Sequence, residues 1–333
     1  MDETIVAVAG AGLTGASWAG LFAAAGLQTR LYDVRADALP PALERAAAAA
    51  RFLEEHGLAR PGAVARGLAA LSATSTPAEA FAGATHVQEC VREDLALKRE
   101  VFALADGLAA PDALICTSSS GLSISALQTA ARRPERCLAA HPYNPPHLVP
   151  LVELAPGTLT APEALERART FYTGVGKEPV VLTRDVPGYV ANRLSAALWR
   201  EAVELVRSGV ATVDDVDRAV REGPGLRWSV MGPHLLYDLG GGTAGIRGHL
   251  EHLAATKTGM LRDLATWTEF PADTADVLEA GLAAEKAGRG YAELCGRRDE
   301  LLAACLAARR RIDVRPAEAG DGTAQTSTTH RGS

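Results

Sequence analysis

The stretch "TIVAVAGAGLTGASWAGLFAAAGLQTRLYD", Thr4 to Asp33, decides the fold. Thr4 to Gly10 is a β-branched apolar run that stops at glycine, and Leu27 to Asp33 alternates like a second strand. Between them apolar residues recur at helical spacing until Gly26. The turn reads Gly10-Ala11-Gly12-Leu13-Thr14-Gly15. A bare GxGxxG spacing is weak. This one follows a strand, opens a helix, and has an acid, Asp33, at the end of the next strand. Gly10 permits the tight turn, Gly12 lets a pyrophosphate approach the backbone, and Gly15 lets helix and strand pack closely. The N–H groups where the helix starts, at Leu13 and Thr14, would hold the phosphates with the positive end of the helix dipole. Asp33 would accept hydrogen bonds from the adenosine ribose and repel a 2′-phosphate. The expected cofactor is therefore NAD, although Arg35 just beyond the acid leaves room for NADP, and a purely structural βαβ turn would share the pattern.

Strand and helix signals keep alternating outward from this unit. Strands are expected at Thr85–Val91, Ala113–Ser120, "RCLAAHPY", "LVPLVEL" and "EPVVLT", with helical segments among them. That order is the signature of an α/β protein, a Rossmann-type doubly wound, mostly parallel sheet. From Val190 onward the apolar period is helical and strand signals vanish, so a smaller all-α domain follows, with Pro187-Gly188 as the hinge. The expected domains are 1–186, nucleotide-binding, and 187–313, helical. The small, polar, aromatic-free segment 314–333 reads as a disordered tail.

Composition bounds the function. The chain has 333 residues, enough for two domains, and a formal net charge of -6 with interspersed charges. That balance argues against general nucleic-acid binding. No apolar segment reaches the roughly 18 residues of a membrane span. The N-terminus is acidic and enters a strand at once, unlike a signal peptide. Five cysteines without a CxxC pair read as free thiols in a reducing cytoplasm, and no Cys or His spacing suggests a metal.

The chemistry is expected in "AHPYNPPHLVPLVELAPG", Ala140 to Gly157. Glu153 is pressed between apolar residues, where a carboxylate is costly unless it has a partner. His141 closes a strand whose C-terminal end would face the ligand crevice. Side by side, the acid would hold one imidazole tautomer and stabilise the cation formed on proton uptake, making His141 a general base. The residues alone equally allow a core histidine bonded to backbone, with Glu153 on an exposed edge. Ser120, in "TSSSG" at the end of another strand, could donate to a substrate oxygen or simply mark a turn. Asn192 could face the crevice or merely begin a helix.

The motifs "GAGLTG", "ECVREDLALK", "SSSGLSISAL", "HPYNPPHLVPLVEL" and "VPGYVANRLSAALWREA", in this order, resemble the 3-hydroxyacyl-CoA dehydrogenase family. The likeness is greatest to its small-substrate branch, which holds L-gulonate 3-dehydrogenase (lambda-crystallin) and L-carnitine dehydrogenase. It runs from about residue 4 to about residue 312. It implies a His141–Glu153 acid/base pair, with Ser120 and Asn192 on the reacting oxygen and Glu93 and Lys98 at the cofactor. It also implies a homodimer built through the helical domain. The acyl-CoA branch usually shows His-Phe-Phe-Asn-Pro and Asn-Thr-Ser-Ser; here His141-Pro142-Tyr143-Asn144-Pro145 and Thr117-Ser118-Ser119-Ser120-Gly121 stand instead. That departure favours a small hydroxy acid over a CoA thioester, which stays as the alternative, with a non-catalytic NAD-binding protein as another. "GPGLRWSVMGPHLLYDLGGGTAGI", Gly223 to Ile246, resembles the same branch and offers Arg227 for a substrate carboxylate, or as a helix-surface arginine.

Overall fold

A computed structural model describes residues 4–313; the expected tail at 314–333 lies outside the described residues. The first part of the chain runs β1 (Ile5–Ala9), α1 (Leu13–Ala24), β2 (Gln28–Tyr32), α2 (Leu39–Glu55), α3 (Ala63–Ala69), β3 (Leu71–Thr74), α4 (Pro77–Phe81) and β4 (His86–Glu89). It continues through α5 (Leu95–Leu108), β5 (Leu114–Thr117), α6 (Ile124–Leu127), β6 (Cys137–Pro142), β7 (Leu151–Pro156), α7 (Pro162–Gly174) and β8 (Glu178–Val181). The eight strands form one sheet in the order β3-β2-β1-β4-β5-β6-β7-β8, parallel except for β6 against β7. The direction of winding reverses between β1 and β4, and ligands of such sheets bind outside the carboxyl ends of the strands at that point.

Burial accounts for the composition of these elements. β1 pairs on both sides, with β2 and β4, and Val6 through Ala9 are buried. A strand covered on both faces reads as a continuous apolar run. α1 is apolar all round because it too is enclosed, every residue from Gly15 to Ala24 being buried. Its small residues allow α2 to approach closely. A Cβ on Gly20 would lie 2.7 Å from the carbonyl oxygen of Ala46.

Two features add detail to the expected mostly parallel sheet. β3 falls where no strand was expected: it has four residues, none of them buried, and pairs only with β2 at the sheet edge. So short and wet a strand leaves no alternation to read. Second, β6 and β7 are antiparallel. The intervening loop 143–150 is too short for a parallel crossover, which takes a dozen or more residues. Buried Lys177 holds that loop, donating to the carbonyls of Pro146 at 2.9 Å and Val149 at 2.5 Å.

Contacts divide the described chain into two units, one comprising residues up to Pro187 with those from Gly296 on, the other Gly188–Cys295. The second holds α8 (Ala191–Arg207), α9 (Val213–Val220), α10 (Leu226–Val230), α11 (Pro233–Gly240), α12 (Gly245–Asp263) and α13 (Thr274–Lys286). The last helix, α14 (Tyr291–Asp313), corrects the expectation that 187–313 is one domain. Its later part packs with the sheet unit, where Ala303 is 1% exposed and Leu302 and Leu306 lie against the core. A helical period shows which side is apolar, not which unit receives it. Among the described residues no helix is long and apolar enough to cross a membrane, and no His, Cys, Asp and Glu cluster could hold a metal ion.

Candidate active site

The glycine turn is built as its spacing requires. Gly10 has φ +107°, and a Cβ there would meet the Cys90 carbonyl carbon at 2.7 Å. A Cβ on Gly15 would lie 1.8 Å from the Gly10 oxygen, so helix and strand touch through glycine alone. Gly12 differs, with nothing within 4 Å of its added Cβ. Its backbone lies bare toward a cavity of about 760 Å³ that Thr14, Asp33, Val34 and Leu97 also line. Asp33 accepts the Ala11 N–H at 2.9 Å through Oδ2 and the Arg35 N–H at 3.0 Å through Oδ1. It thereby pins the turn, and as a carboxylate each oxygen can accept a further hydrogen bond. An open backbone edge at a helix start, with an acid across from it, fits a dinucleotide without a 2′-phosphate.

A second cavity, of about 320 Å³, shares Thr14, Cys90 and Val91 with the first and adds Glu93, Ser118 and Ser120. Glu93 organises the loop after β5. It accepts from the Ser119 hydroxyl and from the N–H groups of Gly121 at 2.8 Å and Leu122 at 3.1 Å. Burial pushes its carboxyl up, but these donors and the nearby Lys98 outweigh that and hold it below its ordinary value. Lys98 is 1% exposed and binds Glu89, with Nζ 2.8 and 3.0 Å from the two carboxylate oxygens, 3.0 Å from the Val91 carbonyl and 3.4 Å from Glu93. Its donors are thus largely spent inside the protein. Burial raises the Glu89 carboxyl despite the opposing charge of Lys98.

The antiparallel register explains the acid among leucines. His141, at the end of β6, stands directly across from Glu153 of β7. The side chains meet, Nδ1 to Oε2, at 2.9 Å, with the residues 3% and 1% exposed. On its other side, His141 Nε2 lies 2.9 Å from the Ser120 hydroxyl. An ionised Glu153 can only accept, which places the imidazole proton on Nδ1 and leaves Nε2 as an acceptor toward Ser120. The arrangement is a proton acceptor with a fixed tautomer and a buried counter-charge. The second histidine of the loop serves otherwise. His147 lies 2.8 Å from the Ser17 hydroxyl, tying the loop to α1, and burial pushes its pKa down to about 4.

Thus the structure brings together Ser120, His141 and Glu153, and separately the glycine turn with Asp33. Asn192 sits in the first turn of α8, and Arg227 is exposed on α10, both in the second unit. Sequence reasoning overlooked Glu89, although it carries the same signal as Glu153, a carboxylate in a wholly buried strand. It also passed over Ser118, for which a serine run gives no discriminating mark.

Comparison with known proteins agrees with this geometry. Residues 5–186 match the 3-hydroxyacyl-CoA dehydrogenase NAD binding domain, and residues 188–293 match the C-terminal domain of the same family. The chain is 41% identical over 303 residues to L-carnitine dehydrogenase of Streptomyces griseus, covering 90% of this chain and 88% of the relative. It is 40% identical over 307 residues to L-carnitine dehydrogenase of a Pseudomonas species, covering 91% and 92%. Among solved structures it is similar to 5-formyl-3-hydroxy-2-methylpyridine 4-carboxylic acid 5-dehydrogenase, an NAD+-dependent dismutase, with TM-score 0.78 and 31% identity over 95% of this chain and 100% of that one. Escherichia coli 3-hydroxybutyryl-CoA dehydrogenase gives TM-score 0.60 and 31% identity over 71% of this chain and 49% of that one. The chain belongs to the 3-hydroxyacyl-CoA dehydrogenase family and is an NAD-dependent oxidoreductase.

Proposed function

We propose that this protein reversibly oxidises the 3-hydroxyl of a small hydroxy acid of the carnitine or gulonate kind, with His141 as general base. The observation that carries the reading is the continuous chain Ser120–His141–Glu153, both links 2.9 Å. NAD, when bound, accepts the hydride released from the carbinol carbon. His141 Nε2 takes the hydroxyl proton, and Glu153 stabilises the resulting imidazolium. Ser120, freed from Nε2, donates to the substrate oxygen as it becomes a carbonyl, and Asn192 is assigned to the same oxygen. Arg227 is assigned to the carboxylate, for which its planar, permanently charged fork is suited. Gly10, Gly12, Leu13, Thr14, Gly15 and Asp33 hold the adenosine diphosphate portion. Glu93 and Lys98 shape the nicotinamide end, Lys98 through Glu89 and Glu93.

The small-acid reading is supported by the L-carnitine dehydrogenase relatives at about 40% identity over nine-tenths of the chain. We also assign a homodimer through the helical unit. That unit exposes large apolar side chains that a second copy would cover, among them Leu194 at 63%, Trp199 at 50%, Met260 at 58% and Phe270 at 58%. The five cysteines of the whole chain are unpaired, which supports a cytoplasmic setting. A panel of free 3-hydroxy acids and 3-hydroxyacyl thioesters, read by NADH absorbance, tests the substrate class. L-carnitine, L-gulonate or a related free acid should be turned over. Turnover of 3-hydroxybutyryl-CoA alone would move the assignment to thioesters, and NADH binding without any turnover would leave a non-catalytic protein.

A further inference from the structure

Ser118 lies one residue past β5, half-buried, on the wall of the 320 Å³ cavity beside Thr14, Glu93 and Ser120. A hydroxyl has two lone pairs and one proton. The Trp18 indole N–H reaches Ser118 Oγ at 3.2 Å, and Gln88 Nε2 reaches it at 2.8 Å. An indole can only donate. The same end of Gln88 also lies 3.4 Å from the Ala140 carbonyl, which can only accept, so that end is the amide nitrogen. Both lone pairs of Ser118 are therefore occupied, and its proton is all it has to offer. The acceptor the fold provides is Cys90 Sγ at 3.2 Å, a weak one.

Gln88 is itself held. The Tyr172 hydroxyl donates to its Oε1, which prevents the amide from flipping. With its proton so directed, Tyr172 accepts from His86 Nε2 at 3.1 Å. His86 then carries its proton on Nε2, and its buried Nδ1, which has no hydrogen-bond partner, is a bare nitrogen rather than an unsatisfied N–H. Burial pushes the His86 pKa down to about 3, so the ring stays neutral. The donors of His86, Tyr172 and Gln88 all point the same way, toward Ser118 on the cavity wall.

We propose that this one-way chain fixes the Ser118 hydroxyl as a hydrogen-bond donor to the carboxamide oxygen of the nicotinamide, with Gln88 and Tyr172 as positioning residues. The inference rests on the reading of the Gly12 edge as the pyrophosphate cradle. The cavity adjoins the one over that cradle at Thr14, Cys90 and Val91 and reaches Ser120, the partner of His141, so the nicotinamide ring belongs there. The carboxamide oxygen is the ring's strong acceptor.

The test compares NADH with reduced thionicotinamide adenine dinucleotide, whose sulfur is a poor acceptor, by equilibrium calorimetry on the wild-type and variant proteins. Ser118→Ala should weaken NADH binding about tenfold, the scale of one well-formed hydrogen bond, and change binding of the thio analogue by less than about twofold. Tyr172→Phe, which frees the Gln88 amide, should weaken NADH about threefold. Equal losses for both dinucleotides in Ser118→Ala, or no loss, would overturn the proposal while leaving the NAD site intact. An unchanged NADH affinity in Tyr172→Phe would overturn the role of the chain. A wild-type protein that binds neither dinucleotide would sink the cradle reading and this inference together.

Discussion

Two carboxylates are buried at the carboxyl edge of the same sheet, and they differ in the partner each faces. Glu89 meets the ammonium of Lys98 at 2.8 Å and also takes the Thr117 hydroxyl at 2.5 Å and the Val91 N–H at 2.7 Å. Glu153 meets the imidazole of His141 at 2.9 Å. Glu89 thus ties Lys98 of α5 to Thr117 at the end of β5, and the first pair is a brace for the loop that carries Ser118 and Ser120. The imidazole has a second nitrogen, Nε2, 2.9 Å from the Ser120 hydroxyl, and in the proposed reaction that nitrogen takes up and releases the substrate proton. On the proposed mechanism, the same acid in the same kind of site is scaffold or part of the catalytic pair according to its partner. His86 supplies the converse, a buried imidazole without an acid, pushed down to about 3 and held neutral.

Removing the counter-charge should show the largest effect. Glu153→Gln leaves the geometry nearly unchanged but withdraws the stabilisation of the imidazolium. Turnover should fall on the order of 10²-fold or more, as for loss of general-base function, with NADH affinity unchanged. A loss of affinity without loss of kcat would erase the distinction between the pairs. Next in size is the brace. Lys98→Met leaves Glu89 buried and unpaired, which should cost about 3–5 kcal/mol in a urea titration. The double variant Glu89→Gln, Lys98→Met should recover most of that. If the single variant is as stable as wild type, the Lys98–Glu89 pair is no brace.

The smallest effect is in pH. His86 and His147 have folded-state values of about 3 and about 4, below the 6.5 of a free imidazole. As pH falls below 6.5 the unfolded chain takes up protons that the folded chain refuses, so stability declines until the folded values are reached. Between pH 6.5 and 4 each histidine should contribute on the order of 3 kcal/mol to that decline. His86→Phe should flatten the fall in urea midpoint between pH 6.5 and 4. An equal slope in the variant would contradict the burial cost assigned to His86.

Much of this was legible because a few residues carry constraints that nothing else meets. The glycine turn is one: three positions with distinct steric needs, a following helix and an acid one strand later. Glu153 is another, since a carboxylate in an apolar strand demands a cation, and His141 was at hand. What stayed hidden depends on register and on which unit receives a helix. The antiparallel β6–β7 pairing, which sets His141 opposite Glu153, follows from loop length and not from either strand. β3 is too short to show a period, and the later part of α14 carries no mark of the sheet unit it packs against. Glu89 was readable by the same logic as Glu153. Its partner Lys98 lies one helix turn into α5, where a lysine looks like solvent-facing charge until the packing is seen.

The most direct test of the proton-transfer account is single-turnover NADH formation by His141→Gln against wild type, with NADH affinity measured alongside. The amide keeps shape and hydrogen bonding but takes no proton, so formation should slow by roughly 10²–10⁴-fold at unchanged affinity. NADH forming at the wild-type rate in that variant would show that the imidazole facing Glu153 does not carry the chemistry.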